Sequence, residues 1–515
     1  MTITPKKPSK LLPVANVITS QFATALGIAG SFVITPTMLS GLGEAKNGGW
    51  QLMLSFVSYM KFLDLGTSAG TVKYGAGALA RGDEEDLRKV VNSTTAIFLG
   101  VGTLSTIGTL ILAVILPRIY SDVGLDPVTI VMLGAALAID LLSRTFAAAL
   151  RTRSLFFVCD SVEILTFVVF RLGFLIYFAH HGGLTYRLLG TLVLLDTVCK
   201  NGFVTGAALF LTPYVRKANP FKPARDMIKK LTKMGSAMSI MQIADIVRFQ
   251  LDAGVIAYFM VDAGWNITIF SIGTRLPSIA YTAIGVIGAV LMPRFSGLSE
   301  TGDQEGLKAL LKRANLATGL IASFVLVNIA VLGPHFLELW LKKPWVPTSG
   351  KILLVMLPGY FVALLTGPSA GVLVGGGRLR GLTMITVGEA VLNFVLSVAL
   401  VKAFGIFGVA FGTVIPMIVV RGIVFPLLLK KELGITPLEY ARMHARPVLL
   451  GLVYLALVCG LGFIPLVSYV RFFLLAGLST VVFFTLLLAV VPEARAAVPK
   501  LLAKLPGRRK VAASE

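Results

Sequence analysis

Charged side chains set inside long apolar runs are what this sequence offers for chemistry. Asp245, Arg248 and Asp252 stand together in the stretch 244–254, within an apolar run from about residue 234 to 261. At about 100° per helical residue the three fall within about 60° of arc, on one face. A run of this length reads as a membrane-spanning helix. One charge at the centre of such a helix costs about 2.5–3.5 kcal/mol on insertion scales, so this face is expected against other helices or water rather than lipid. Other apolar runs carry Lys61 and Asp64, Asp140 and Arg144, Asp160 with Glu163 and Arg171 on one helical face, Asp196 and Lys200, and Arg275 two residues before Pro277. Residues 382–401 carry Glu389 with Asn393, and Arg421 lies near the end of the run after it. The chemistry such groups can perform is ion pairing, proton exchange on the carboxylates, and anion binding by guanidinium groups that stay charged when buried.

Some of these charges have local partners and some do not. Asp140–Arg144 and Asp196–Lys200 are spaced i,i+4 and can neutralise one another along a helix. Lys61 and Asp64 are spaced i,i+3. Arg171 and Arg275 have no carboxylate within one turn, so their counter-charge is expected on another helix or on a ligand. Lys73 and Arg421 lie near span ends and can extend their heads toward water.

Composition places these charges in a membrane. The chain has 515 residues, is 56% hydrophobic and 14% charged, and carries a formal net charge of +22. Its mean hydropathy is +0.85. A soluble chain has about 25% charged residues. Cys159, Cys199 and Cys459 all lie in apolar runs and suggest no disulfide framework. The four histidines show no metal-ligand spacing, so no metal is expected. No Gly-x4-Gly-Lys-Ser/Thr phosphate loop occurs, so ATP hydrolysis is not expected. The basic residues are scattered over many loops, which argues against nucleic acid as a partner.

The elements that must position the charges are about fourteen transmembrane helices of an all-α polytopic membrane protein. The sequence places them near 11–40, 49–77, 90–116, 127–150, 155–180, 184–212, 234–261, 266–293, 313–334, 349–374, 382–401, 405–429, 446–466 and 470–491. The first is too long for a signal-peptide core and is read as uncleaved. With the N-terminus cytoplasmic, 31 of the 47 Lys and Arg fall in inner segments and seven in outer loops. Such a bias predicts that both termini are cytoplasmic.

A repeat is visible within this pattern. Arg81-Gly82-Asp83-Glu84-Glu85 follows the second span and Thr301-Gly302-Asp303-Gln304-Glu305 the eighth, 220 residues on. Both stretches break the chain at Gly-Asp and then open a helix with acidic residues. The sequence therefore predicts two homologous six-helix halves of the same orientation. The expected divisions are a cytoplasmic N-tail (1–10), an N-lobe (11–212), a basic cytoplasmic linker (213–233), a C-lobe (234–429), two further helices (430–491) and a basic cytoplasmic tail (492–515).

Asp64-Leu65-Gly66, Lys73-Tyr74 and the Arg81-Gly82-Asp83 loop, with Leu42-Gly43 before Trp50 and Leu291-Met292-Pro293-Arg294-Phe295-Ser296 before Gly302-Asp303, resemble the polysaccharide transporter (Wzx-type) branch of the multidrug/oligosaccharidyl-lipid/polysaccharide (MOP) exporter superfamily. The resemblance covers residues 11 to about 430 and implies two pseudo-symmetric six-helix lobes around a central cavity. It implies an undecaprenyl-pyrophosphate-linked oligosaccharide flipped from the cytoplasmic to the outer leaflet of the bacterial inner membrane, among membrane lipids. It leaves open an association with polysaccharide polymerase or assembly proteins.

A lipid pyrophosphate needs cations in the cavity that carries it, and guanidinium groups match its oxygens two at a time. Arg171, Arg248 and Arg275 are the candidate clamp, with Lys61 and Arg144 as further candidates. Asp64, Asp140, Asp245 and Asp252 are the candidate sites for a coupling proton or sodium ion; no other cofactor is expected. The first alternative is a cation-coupled (MATE-like) multidrug antiporter, which would favour an acidic cavity. An embedded glycosyltransferase is the other, and the longest outer loop, about residues 335–349, holds only Glu338 as an acid, so no enzyme activity is expected.

Overall fold

The computed structural model describes residues 12–60, 64, 66–465 and 467–496, without the side chains of 13, 14, 234–249 and 289. Every regular element among them is helical, as the apolar runs predict. The helices are α1 (Leu12–Leu42), α2 (Glu44–Tyr59), α3 (Thr67–Arg81), α4 (Glu84–Ile119), α5 (Pro127–Thr152), α6 (Phe156–Thr166), α7 (Leu175–His181), α8 (Tyr186–Leu211) and α9 (Arg225–Phe259). They continue with α10 (Ala263–Glu300), α11 (Gln304–Leu341), α12 (Val346–Gly375), α13 (Leu379–Phe404), α14 (Ile406–Val419), α15 (Phe425–Leu433), α16 (Pro437–Val458) and α17 (Tyr469–Val490).

Among the described residues, twelve helices are long and apolar enough to cross a membrane. The other two expected spans are also helical. The second is divided into α2 and α3 around Asp64 and Gly66, with Gly66 left-handed at φ 61°. The seventh is α9, of 35 residues, and it carries the polar stretch singled out above. Two spans contain π-helical segments that the sequence does not announce. Phe167–Phe174 joins α6 to α7, and Val420–Val424 joins α14 to α15.

The chain forms two compact units, Met1–Thr268 with Thr386–Val409, and Ile269–Ile385 with Ala410–Glu515. In the first, α5 packs between α4 and α8, while α3 lies against α4, α5 and α9. Small residues let these helices approach: a Cβ on Gly134 of α5 would sit 2.0 Å from the Thr109 side chain of α4. In the second, α11 packs on α12 and α16, and α16 on α17. Tyr454 of α16 is fully buried there and exchanges hydrogen bonds with Asn328 (2.8 Å) and Ser479 (2.6 Å).

The two Gly-Asp loops have the same local structure. Gly82 and Gly302 are left-handed at φ 68° and 72°. The next amide reaches back five residues in each, Asp83 N–H to Ala78 O (3.0 Å) and Asp303 N–H to Leu298 O (3.1 Å). This is a glycine-terminated helix end. Each Asp then caps the following helix, Asp83 accepting from Asp86 N–H (2.9 Å) and Asp303 from Gly306 N–H (2.8 Å). At the start of α5, Asp126 plays the same part, accepting from the Thr129 amide (3.1 Å) and hydroxyl (2.7 Å). Burial opposes its charge, but the Thr129 bonds and the Arg187 guanidinium hold its carboxyl below the usual range.

Candidate functional site: a charged cavity in the first unit

The charges of the first unit are joined across helices rather than along them. Asp64, at the break between α2 and α3, accepts a short hydrogen bond from Arg144 Nη1 of α5. The Ser68 hydroxyl, one turn along α3, donates to the same carboxylate at 3.2 Å. Arg144 Nη2 lies 3.5 Å from Asp140 on its own helix. The other oxygen of Asp140 takes Lys200 Nζ of α8 at 2.9 Å and Asn201 Nδ2 at 3.5 Å. Asp64, Arg144, Asp140 and Lys200 thus form one alternating chain of charge that ties the α2–α3 break to α5 and α8.

The i,i+4 pairing expected of Asp196 and Lys200 gives way to these bonds. Lys200 turns to Asp140, and Asp196 is held by Arg171, whose Nε and Nη2 both lie 2.8 Å from Oδ2. A helix surface presents i and i+4 side by side, but a partner on a facing helix wins when the interhelical gap is short and dry. The counter-charge of Arg171 is therefore on α8. The π segment also resets the phase of this span. Asp160, Glu163 and Arg171, expected on one face, meet three different surroundings: Asp160 takes a hydrogen bond from Thr19 of α1 at 3.4 Å, Glu163 borders the cavity described next, and Arg171 reaches α8.

The ladder borders a cavity of about 710 Å³ inside the first unit. Its charged lining is Lys73, Arg144, Arg151 and Lys200 against Asp64, Asp140 and Glu163. Ser68, Ser143 and Asn201 add neutral polar groups, and Phe156, Val72 and Val204 apolar ones. Gly66, Ser68 and Ala69 bring the first turn of α3 to the cavity edge. No side chain caps that helix start. Unbonded first-turn N–H groups and the aligned peptide dipoles make such a start partly positive. Among the described residues the cavity lining therefore holds one more cation than carboxylate, plus a helix N-terminus.

None of the remaining candidates is among the described lining of this cavity. Lys61, and the side chains of Asp245 and Arg248, fall outside the described residues. Asp252 is buried on α9, 5% exposed. Arg275 belongs to the second unit, on α10, and its Nε is buried with no hydrogen-bond partner among the described residues.

Lys73, Arg151, Glu163 and Asn201 join the site only through the tertiary structure. For Arg151 alone one signal was in the sequence: Asp140, Arg144, Ala147, Ala148 and Arg151 recur at helical spacing and form a single stripe of α5. That stripe is the face α5 turns to the cavity.

No family model and no curated protein matches this chain. Solved structures do. The lipid II flippase MurJ in an inward closed conformation matches with TM-score 0.68 at 14% identity, over 92% of this chain and 98% of that one. An inward-facing multidrug resistance MATE family transporter of the MOP superfamily matches with TM-score 0.65 at 17% identity, over 78% of this chain and 94% of the other. A MOP superfamily transporter from Pyrococcus furiosus, described as having a binding pocket of reverse polarity, matches with TM-score 0.54 at 15% identity, over 83% and 100%. These likenesses establish the fold.

Proposed function

We propose that this chain is a multi-pass transporter of the bacterial inner membrane that flips an undecaprenyl-pyrophosphate-linked oligosaccharide to the outer leaflet by alternating access, with both termini cytoplasmic. The observation that carries the reading is the cavity of the first unit: four cations against three carboxylates, beside an uncapped helix start. Arg144 is already shared between two carboxylates, so an entering pyrophosphate competes with Asp64 and Asp140 for it, while Lys73, Arg151 and Lys200 add further donors. Guanidinium and ammonium groups bind phosphate oxygens through charge-assisted hydrogen bonds. No bond of the substrate is broken. A carboxylate displaced from Arg144 becomes a site for a coupling proton or sodium ion, which gives Asp64 and Asp140 their role.

The reach of the fold likeness supports the same reading. A match over 92% of the chain is longer than residues 1–433 can supply, so the likeness to the lipid flippase runs on into α16 and α17. MATE-like export of an organic cation is the second reading, favoured by the TM-score of 0.65 to such a transporter.

Proteoliposomes carrying the purified protein separate the two. Inversion of a fluorescent polyprenyl-pyrophosphate oligosaccharide is expected, reduced at least tenfold by Arg144→Ala and partly restored by Arg144→Lys, which keeps the charge and loses the two-pronged geometry. Efflux of an organic cation without lipid inversion would overturn the flippase reading and favour the antiporter.

A further inference from the structure

The segment that leads from α8 to α9, residues 212–224, carries a built turn held on the side of α4. Asn219-Pro220-Phe221-Lys222 closes on itself, Lys222 N–H donating to Asn219 O at 3.2 Å and Phe221 N–H to Asn219 Oδ1 at 2.9 Å. Proline suits the second position of such a turn. Asn92 of α4 brackets both ends of it. Its Oδ1 accepts from Asn219 N–H at 2.7 Å, and its Nδ2 donates to Lys222 O at 3.3 Å. The neighbouring Ser93 hydroxyl accepts from Ala224 N–H at 3.1 Å and donates to Ala224 O at 3.4 Å. Upstream, Val215 is buried, Tyr214 donates to Ala149 O of α5 at 3.1 Å, and Arg216 Nε donates back to Leu209 O at 2.7 Å. Downstream, Met227 and Leu231 of α9 pack with Val90.

The turn holds an aromatic side chain in the open: Phe221 is 85% exposed. The bonds also fix its depth. Asn92 and Ser93 stand at the start of the apolar run of α4, and Leu209 near the end of that of α8. An apolar run begins and ends where a helix passes between headgroups and hydrocarbon, so Phe221 lies at headgroup level. The charge around it is one-sided. Residues 213–233 carry seven Lys and Arg and one acid, Asp226. Arg216, Lys217, Lys222 and Arg225 are exposed. Among the described residues, Lys217, Lys222 and Arg225 pair with no carboxylate, and Asp226 lies 3.9 Å from Lys230. At the start of α4, Asp86 is held by Arg81 at 2.7 Å and Glu85 by Lys89 at 2.8 Å.

We propose that this turn is a docking surface for anionic phospholipid. The Phe221 ring enters the interfacial layer, and Lys217, Lys222 and Arg225 hold the phosphate oxygens of the surrounding headgroups. A bare ring in water is unfavourable, whereas aromatic side chains collect at the headgroup level. Clustered Lys and Arg at the end of a spanning helix favour anionic over zwitterionic headgroups. Depth favours lipid over a soluble partner, whose access to this level the bilayer limits. Bound lipid then holds the connection between α8 and α9 at the membrane surface, fixed to α4 through Asn92.

The test uses no transport substrate, so it stands or falls apart from the transport assignment. Full-length Phe221→Trp is placed in nanodiscs of equimolar phosphatidylglycerol and phosphatidylcholine, with only one of the two lipids brominated in each preparation. Subtracting the wild type removes the emission of the four native tryptophans. Brominated phosphatidylglycerol is expected to quench roughly twofold more strongly than brominated phosphatidylcholine at low salt. High salt should remove the preference. So should Lys217→Gln, Lys222→Gln and Arg225→Gln together in the same variant; these side chains are exposed and unpaired, so the chain is expected to fold. Equal quenching by the two lipids would overturn the proposal, because it shows apolar contact without headgroup recognition. An absence of quenching would overturn it by placing Phe221 away from lipid, and a preference that survives the triple substitution would do so by assigning recognition to other residues.

Discussion

The interiors of the two units are polar in different ways. The first is held by full charges: Asp64–Arg144–Asp140–Lys200 bridges three helices, and Arg171–Asp196 joins a π segment to α8. The described interior of the second relies mainly on neutral groups, such as Tyr454 with Asn328 and Ser479, or Asn315 with Ser369, and on His444 between the Tyr440 and Leu365 carbonyls. A neutral hydrogen bond has two fixed partners and little reason to change. A buried ion pair costs several kcal/mol of desolvation per ion and stays favourable only while its counter-charge is present. It can therefore be exchanged for a different counter-charge, such as a phosphate or a proton. On the proposed reading the first unit is the one built to trade partners, and the second holds its helices in register.

The comparison breaks first at Arg144. Arg144→Ala leaves Asp64 and Asp140 short of their shared cation; these side chains are half-buried beside the cavity, so the loss is expected at about 2–4 kcal/mol, below that of breaking a wholly buried pair. Removing Asp64 as well should recover part of this loss, so the Asp64→Ala/Arg144→Ala cycle shows coupling. Denaturation in detergent measures it, and strictly additive losses would mean that the pair does not act as a unit.

A smaller effect is expected from the neutral network. Tyr454→Phe leaves Asn328 and Ser479 without the hydroxyl, for about 1–3 kcal/mol. Its ring packing is kept, and transport should be unchanged apart from protein yield. A transport defect at wild-type stability would show that the second unit also exchanges partners.

The smallest change sharpens the repeat. Asp83→Ala and Asp303→Ala each remove one helix cap and should cost about 1 kcal/mol, by closely similar amounts. Thermal midpoints compare them. A clear loss at one and none at the other would mean that the two loops share a motif but not a structural duty.

How much of the site was legible follows from where each residue's partner lies. The Gly-Asp loops could be read outright, because a left-handed glycine end and an Asp cap are set by residues within six positions of one another. Asp64, Asp140 and Arg144 stood out as candidates because a charge in an apolar run is costly wherever it lands. Their partners could not be read. Asp196–Lys200 looked like a local pair, and the folded chain gives Lys200 to Asp140 and Asp196 to Arg171. From the face expected of Asp160, Glu163 and Arg171, Arg171 departs at a π segment whose sequence, Phe167–Phe174, is as apolar as its flanks.

By itself the sequence determined that this chain is a bundle of membrane-crossing helices, roughly where along the chain most of them lie, and which side chains are too expensive to face lipid. These are consequences of hydrophobicity and short-range geometry, both written in consecutive residues. Only the tertiary structure decided which buried charges meet, that the α2–α3 break opens on a cavity, and that His444 sits between two carbonyls. Those outcomes depend on the distances between helices far apart in the chain, set by small residues such as Gly134 at the crossings and by the phase of each helix at the point where it meets its neighbour.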